Sequence, residues 1–153
     1  MPKYFLVGVI LLMANAFTYA QINTPLKVRD AAGPDEVNEV VIDFERYMIR
    51  KVSYPSKANK NSIIKTLYYK VGVNDNKITT FEWVKDVTEE IEVAALPLYF
   101  SAPAYGSKAK EDGVYDKDFR NAVEKPATKF GKYKESAAAP AETLYLSFNF
   151  IVK

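Results

Sequence analysis

Two Ser-x-x-Lys spacings, Ser62/Lys65 and Ser107/Lys110, are the nearest this chain comes to a nucleophile with its base. A lysine amine at that distance can take the serine proton for acyl transfer, but such sites also need Ser-Asp-Asn and Lys-Thr-Gly motifs. Neither occurs here. Ser62 and Lys65 would moreover point to opposite faces if both lay in one strand. The chain has no histidine and no cysteine, which removes the commonest metal ligands, the thiol nucleophile and the usual neutral-pH proton shuttle. Asp86, Glu89, Glu90, Glu92, Asp112, Asp116 and Asp118 could supply a pair of catalytic carboxylates of the glycosidase kind, yet they read as solvated surface charge. Asn74-Asp75-Asn76 lacks the glycine and the distant glutamate of a calcium loop and reads as a turn. No glycine-rich phosphate loop or GxSxG elbow is present. The expectation is a protein that is not an enzyme and uses neither metal nor cofactor.

Recognition chemistry remains. Tyr99, Phe100, Tyr105 and Tyr115 fall in a region without sustained periodicity, where they could form an aromatic platform for a glycan or the cell wall. More often such residues pin an insertion to the core. The 21 basic and 19 acidic side chains give a net charge of +2, too little to favour nucleic acid or an anionic membrane.

The elements that must position these residues begin after a leader. Lys3, the apolar run Phe5 to Met13 and Thr18-Tyr19-Ala20 form a secretory signal pattern with cleavage expected after Ala20. Removing 20 of the 153 residues leaves 133 and takes the charge to +1, enough chain for one domain. Once cleaved, the product is expected in the periplasm or outside the cell, without membrane insertion; a leader that is kept would act as an anchor. Lacking disulfides, it must draw its stability from packing. Residues 21–33 are a polar lead-in, and 34–153 are read as a single domain.

Pro34-Asp35-Glu36 starts a helix, and Val37, Val40, Val41, Phe44, Tyr47, Met48 and Val52 line one face of it up to Pro55. From Ile63 the period becomes two. Leu67, Tyr69, Val71 and Val73 predict a strand, Asn74 to Lys77 a turn, and Ile78 to Val87 a second strand with Phe81 and Trp83 inward. Glu89 to Leu96 suits a short helix, Leu98 to Gly113 reads mostly as loop, Asp116 caps a helix through Glu124, and 125–141 reads as loop. Leu144, Leu146, Phe148, Phe150 and Val152 alternate in the clearest strand of the chain. Together these predict a two-layer α+β fold, a three-stranded antiparallel sheet covered by the long amphipathic helix plus a second helix.

This order of elements, with the run Phe44 to Pro55 closing in Tyr54-Pro55 and a small Ala58 after it, resembles the C-terminal domain of TonB-type energy transducers. The similarity continues through Ile63 to Val87 and returns in Leu144 to Val152, with Phe44, Tyr47, Tyr54, Pro55 and Ala58 as the structural motif. Four features depart from the family: Lys65 stands where it usually has a glycine, Phe130-Gly131-Lys132-Tyr133 where it has a Trp-x-Pro turn, 88–115 looks like an insertion, and the family's long proline-rich spacer is missing. The resemblance implies a non-catalytic envelope domain whose last strand receives an extended peptide, as from a TonB-dependent receptor. An open sheet edge can accept such a peptide through its backbone, so the site expected is Thr143, Leu144, Tyr145, Leu146, Ser147, Phe148, Asn149 and Phe150. The same edge could pair with a second copy, giving a homodimer. The alternative is a secreted glycan- or cell-wall-binding protein that keeps the fold as a scaffold.

Overall fold

The computed structural model describes residues 36–103 and 108–153. The leader, the polar lead-in, Pro34, Tyr105 and Ser107 lie outside the described residues. The element order is α1 (Glu36–Lys51), α2 (Ser56–Lys60), β1 (Lys65–Asn74), β2 (Lys77–Trp83), α3 (Glu89–Ala94), β3 (Leu96–Ala102), a 3₁₀ turn (Gly113–Tyr115), α4 (Asp116–Ala127) and β4 (Glu142–Val152).

The fold is α+β, but the sheet is four-stranded and mixed, in the order β2-β1-β4-β3. β1 runs antiparallel to both β2 and β4, whereas β3 pairs with β4 in parallel. The fourth strand comes from 88–115, the segment expected to hold only a short helix and loop. Because β2 and β3 lie at opposite ends of the sheet, the chain between them must cross β1 and β4. In that crossover α3 lies against β4. Burial and, after it, the nearby Glu92 carboxylate of α3 raise the pKa of the Tyr68 phenol.

The α1 stripe is the core face that its periodicity predicts: Val40, Val41, Phe44, Met48 and Val52 are all buried. It meets Leu67, Tyr69, Val71 and Val73 of β1 and Leu144, Leu146, Phe148 and Phe150 of β4, every one buried. Stacked and edge-on rings join the layers, with Tyr69 4.4 Å from Phe81 between centroids and Phe44 5.7 Å from Phe81. Such pairs contribute about 0.5–1.5 kcal/mol each beyond area burial. α4 shares this side of the sheet and buries Phe119, Val123 and Ala127.

The hairpin turn forms where expected. Asp75 has φ of 49° and Asn76 has φ of 59°. A two-residue turn matched to strand twist requires such positive values at both central positions. Next to it the register slips between Gly72 and Val73, so that Gly72 faces Thr80 while Val73 faces Ile78. Gly72 also sits under Pro140: a Cβ there would collide with Thr80 Oγ1 and lie 3.0 Å from Pro140 Cβ.

Several boundaries differ from the reading of the sequence, and β2 ends at Trp83, short of the expected Val87. Asp116 is the first residue of α4 and does not cap it; Asp112 caps the preceding turn by accepting from the Val114 amide at 3.0 Å. Pro126 falls inside the last turn of α4, and the helix, deprived of that amide, ends at the next residue, Ala127. The segment 125–141 is no free loop, because Phe130 enters the core and contacts Phe44 and Tyr47, both at 5.1 Å.

Candidate functional site

The site expected on the last strand is not an edge. β4 is bonded on one side to β1 from Glu142 to Phe150 and on the other to β3 from Leu146 to Val152. Leu144, Leu146, Phe148 and Phe150 are core residues, Ser147 is buried, Tyr145 and Asn149 are half-buried, and Thr143 is exposed. β3 occupies the backbone groups that a peptide would have used. Asn149 helps hold it there: its Nδ2 donates to the Leu98 carbonyl at 3.2 Å and to Ser147 Oγ at 3.1 Å, while Thr66 donates to its Oδ1 at 3.0 Å. One polar side chain therefore bridges three adjacent strands on the face away from α1 and α4.

The sheet's ends lie elsewhere, and they are not equivalent. Beyond β2, the Ile78 amide donates to the Lys132 carbonyl at 2.8 Å, and the Lys134 and Ser136 amides donate to the Ile78 and Thr79 carbonyls. That segment lines the β2 margin. Beyond β3 there is no further strand among the described residues. The Lys153 amide donates to the Ala102 carbonyl at 3.0 Å, which fixes the phase of β3. Backbone groups alternate sides along a strand, so Leu96, Leu98, Phe100 and Ala102 turn theirs toward β4, and Pro97, Tyr99 and Ser101 turn theirs outward.

The sequence of β3 suits that place. Leu98, Phe100 and Ala102 are buried against the core, and Pro97, Tyr99 and Ser101 are exposed on the far face, Tyr99 at 63%. Proline survives within a sheet where its missing amide would have faced outward. Edge strands are usually protected by charge, yet from Val93 to Ser107 the chain carries none. Pro97 and Pro103 conceal the strand from sequence reading, although the alternation at Leu98, Phe100 and Ala102 is a signal for it.

Among the described residues, Tyr99, Phe100 and Tyr115 do not form the expected aromatic platform. Tyr99 and Phe100 are consecutive in a strand and face opposite ways, with Phe100 in the core 5.2 Å from Phe150. Tyr115 is half-buried beside α2, where its hydroxyl accepts from Asn61 Nδ2 at 3.0 Å.

Phe44, Tyr47, Tyr54, Pro55 and Ala58 serve the core and the turn beside it. Phe44 and Ala58 are buried, the Tyr47 hydroxyl donates to the Pro126 carbonyl at 2.7 Å, and the Tyr54 hydroxyl donates to the Ile63 carbonyl. Pro55 precedes the first turn of α2.

The ionisable groups are tied into structure as well. Ser62 is buried in a turn before β1 at φ 54°, so it does not share a strand with Lys65, and Lys65 pairs with Asp116 at 2.9 Å. The Tyr69 hydroxyl donates to Glu124 Oε1 at 3.0 Å, Arg120 holds the same oxygen, and its guanidinium lies 4.0 Å from the Trp83 ring centre. Burial and, after it, the neighbouring Glu124 carboxylate push the Tyr69 phenol far above its ordinary range.

Among the described residues no three His, Cys, Asp or Glu side chains come together as metal ligands, and no helix is long and apolar enough to cross a membrane. Comparison with family models, with curated proteins and with solved structures gives no match.

Proposed function

We propose that this chain is a non-catalytic interaction domain of the cell envelope, acting in the periplasm or outside the cell, that binds an extended peptide by strand addition at β3. The observation that carries the reading is the outer margin of β3: an uncharged terminal strand with the Tyr99 and Ser101 amides turned outward. The far end of the sheet has its own segment alongside it. A peptide added here gains main-chain hydrogen bonds, and its alternate side chains meet Tyr99 on one face and the rim of the core near Leu98 and Phe100 on the other. The secretory leader pattern and the resemblance of Phe44 to Pro55 to TonB-type domains support an envelope partner, such as the N-terminal segment of an outer-membrane receptor. Placing the site on β3 departs from that family's last-strand site.

The test is a titration of the isotope-labelled chain with N-terminal peptides of outer-membrane receptors, followed through backbone amide shifts. Shifts centred on Tyr99 and Ser101, abolished when the peptide's backbone is N-methylated at alternate positions, are expected. Shifts confined to other surfaces, or binding unaffected by N-methylation, would rule out strand addition.

A further inference from the structure

We infer that the resting occupant of the β3 edge is a second copy of this chain, added antiparallel about a two-fold axis through Tyr99, an inference that rests on the reading of β3 as the open edge. Proline and strand length together select this register. Only Tyr99 and Ser101 present outward amides between Pro97 and Ala102, because Pro97 has none. With Tyr99 opposite its own copy, the two Tyr99 residues exchange both backbone bonds, and each Ser101 amide meets the opposite Pro97 carbonyl. Every outward donor of the strand then has an acceptor, and the two strands overlap along their whole length. Shifting the pairing by two residues shortens the overlap in either direction. One shift leaves the Ser101 amide beyond the end of the opposing strand, and the other leaves the Pro97 carbonyl there.

The side chains agree with this register. Pairing Tyr99 with itself puts two exposed phenol rings side by side on the far face, a favourable cross-strand aromatic pair. On the other face Leu98 comes opposite Phe100, joining the margins of two apolar cores. The absence of charge between Val93 and Ser107 means that two copies meet without like-charge repulsion, the device by which edges ordinarily refuse one another. An antiparallel pair of β3 strands would join two four-stranded sheets into one continuous sheet with two-fold symmetry.

Two seven-residue strands make a small contact. Association at about 10–100 μM is therefore expected, in the range of weak complexes that bury under roughly 1,200 Å².

The chain's lack of cysteine makes the test clean. In a bonded antiparallel pair the opposing Cα atoms are about 5.5 Å apart, within the span of a disulfide. Under mild oxidation Tyr99→Cys should give a covalent dimer roughly tenfold faster than Val114→Cys, whose site is exposed in the 3₁₀ turn between β3 and α4. Sedimentation of the unmodified chain should show reversible dimerisation, lost in Ser101→Pro, which removes an outward amide and leaves the bonds to β4 in place. A chain that stays monomeric well above that concentration range, with equal cross-linking of the two cysteine variants, would overturn self-pairing. If such a monomer still binds receptor peptide at Tyr99 and Ser101, only self-pairing falls; if those amides respond to no peptide, strand addition falls too. Receptor peptide that dissociates the dimer would support both.

Discussion

Phe100→Ala and Tyr99→Ala, compared side by side, test whether the insertion adds a strand to the core. The two aromatics are adjacent, so composition and local propensity treat them alike, and only the register of β3 makes them different. Phe100 is 7% exposed and stacks 5.2 Å from Phe150 and 6.0 Å from Phe148, so truncation leaves a void between β3, β4 and the helices. Replacing a buried phenylalanine costs about 3–5 kcal/mol; near a sheet margin, where neighbours can partly collapse, about 3–4 is expected. That is a factor on the order of 100 or more in the folded-to-unfolded ratio. Tyr99 is 63% exposed, and its truncation should change stability by within about 0.5 kcal/mol. Urea unfolding measures both: at a slope of about 2 kcal/mol per M, the Phe100 variant's midpoint falls by roughly 1.5–2 M, and the Tyr99 variant's moves by less than about 0.3 M. A slip of one residue would exchange the two faces. Equal losses, or the larger loss at Tyr99, would therefore refute the register, and a loss under about 1 kcal/mol at Phe100 would show that β3 is not part of the core.

Tyr69→Phe should cost about 1–2 kcal/mol by the same denaturation, since it deletes a buried hydroxyl bonded to the Glu124 carboxylate. The Tyr69 phenol is raised above the ordinary value of 10.0 in the folded chain. Its contribution is therefore complete below about pH 10 and is lost as pH rises further, because the unfolded phenol ionises first. Denaturation between about pH 9 and about pH 11 should show stability falling by up to about 1.4 kcal/mol per pH unit from this group, and Tyr69→Phe should remove that part of the slope. Gly72→Ala should destabilise by about 1–3 kcal/mol, through collision with Thr80 and Pro140; Thr80→Ala should recover part of the loss, seen as a partial return of the thermal midpoint. Asn76→Gly should raise stability to urea slightly, by up to about 1 kcal/mol, because the left-handed backbone at this position strains a side chain.

Much of the architecture is legible in patterns with a local cause. The α1 stripe, the alternation of β1 and β4 and the Asn74 to Lys77 turn each repeat a geometric period or demand a special backbone angle, and each forms where the sequence places it. Other features give weak or misleading signals. β3 is concealed by Pro97 and Pro103, which argue against a strand in general but not against an outermost one. Phe130 reads as part of a tether because nothing near it in sequence is apolar at a regular spacing, and its partners Phe44 and Tyr47 lie far away along the chain. Asn149 reads as an outward polar residue on a wet face, and its role depends on Leu98 and Thr66 from two other strands.

The amino-acid sequence specifies α1 and the three periodic strands, together with the face each one buries, since these follow from side-chain periodicity over short stretches of chain. It also determined the chemistry the chain lacks, because histidine and cysteine are absent whatever the fold. Tertiary structure alone decided which strand lies outermost. That question turns on pairing between segments dozens of residues apart: β3 pairs in parallel with β4, which leaves β4 inside the sheet and β3 at its margin among the described residues.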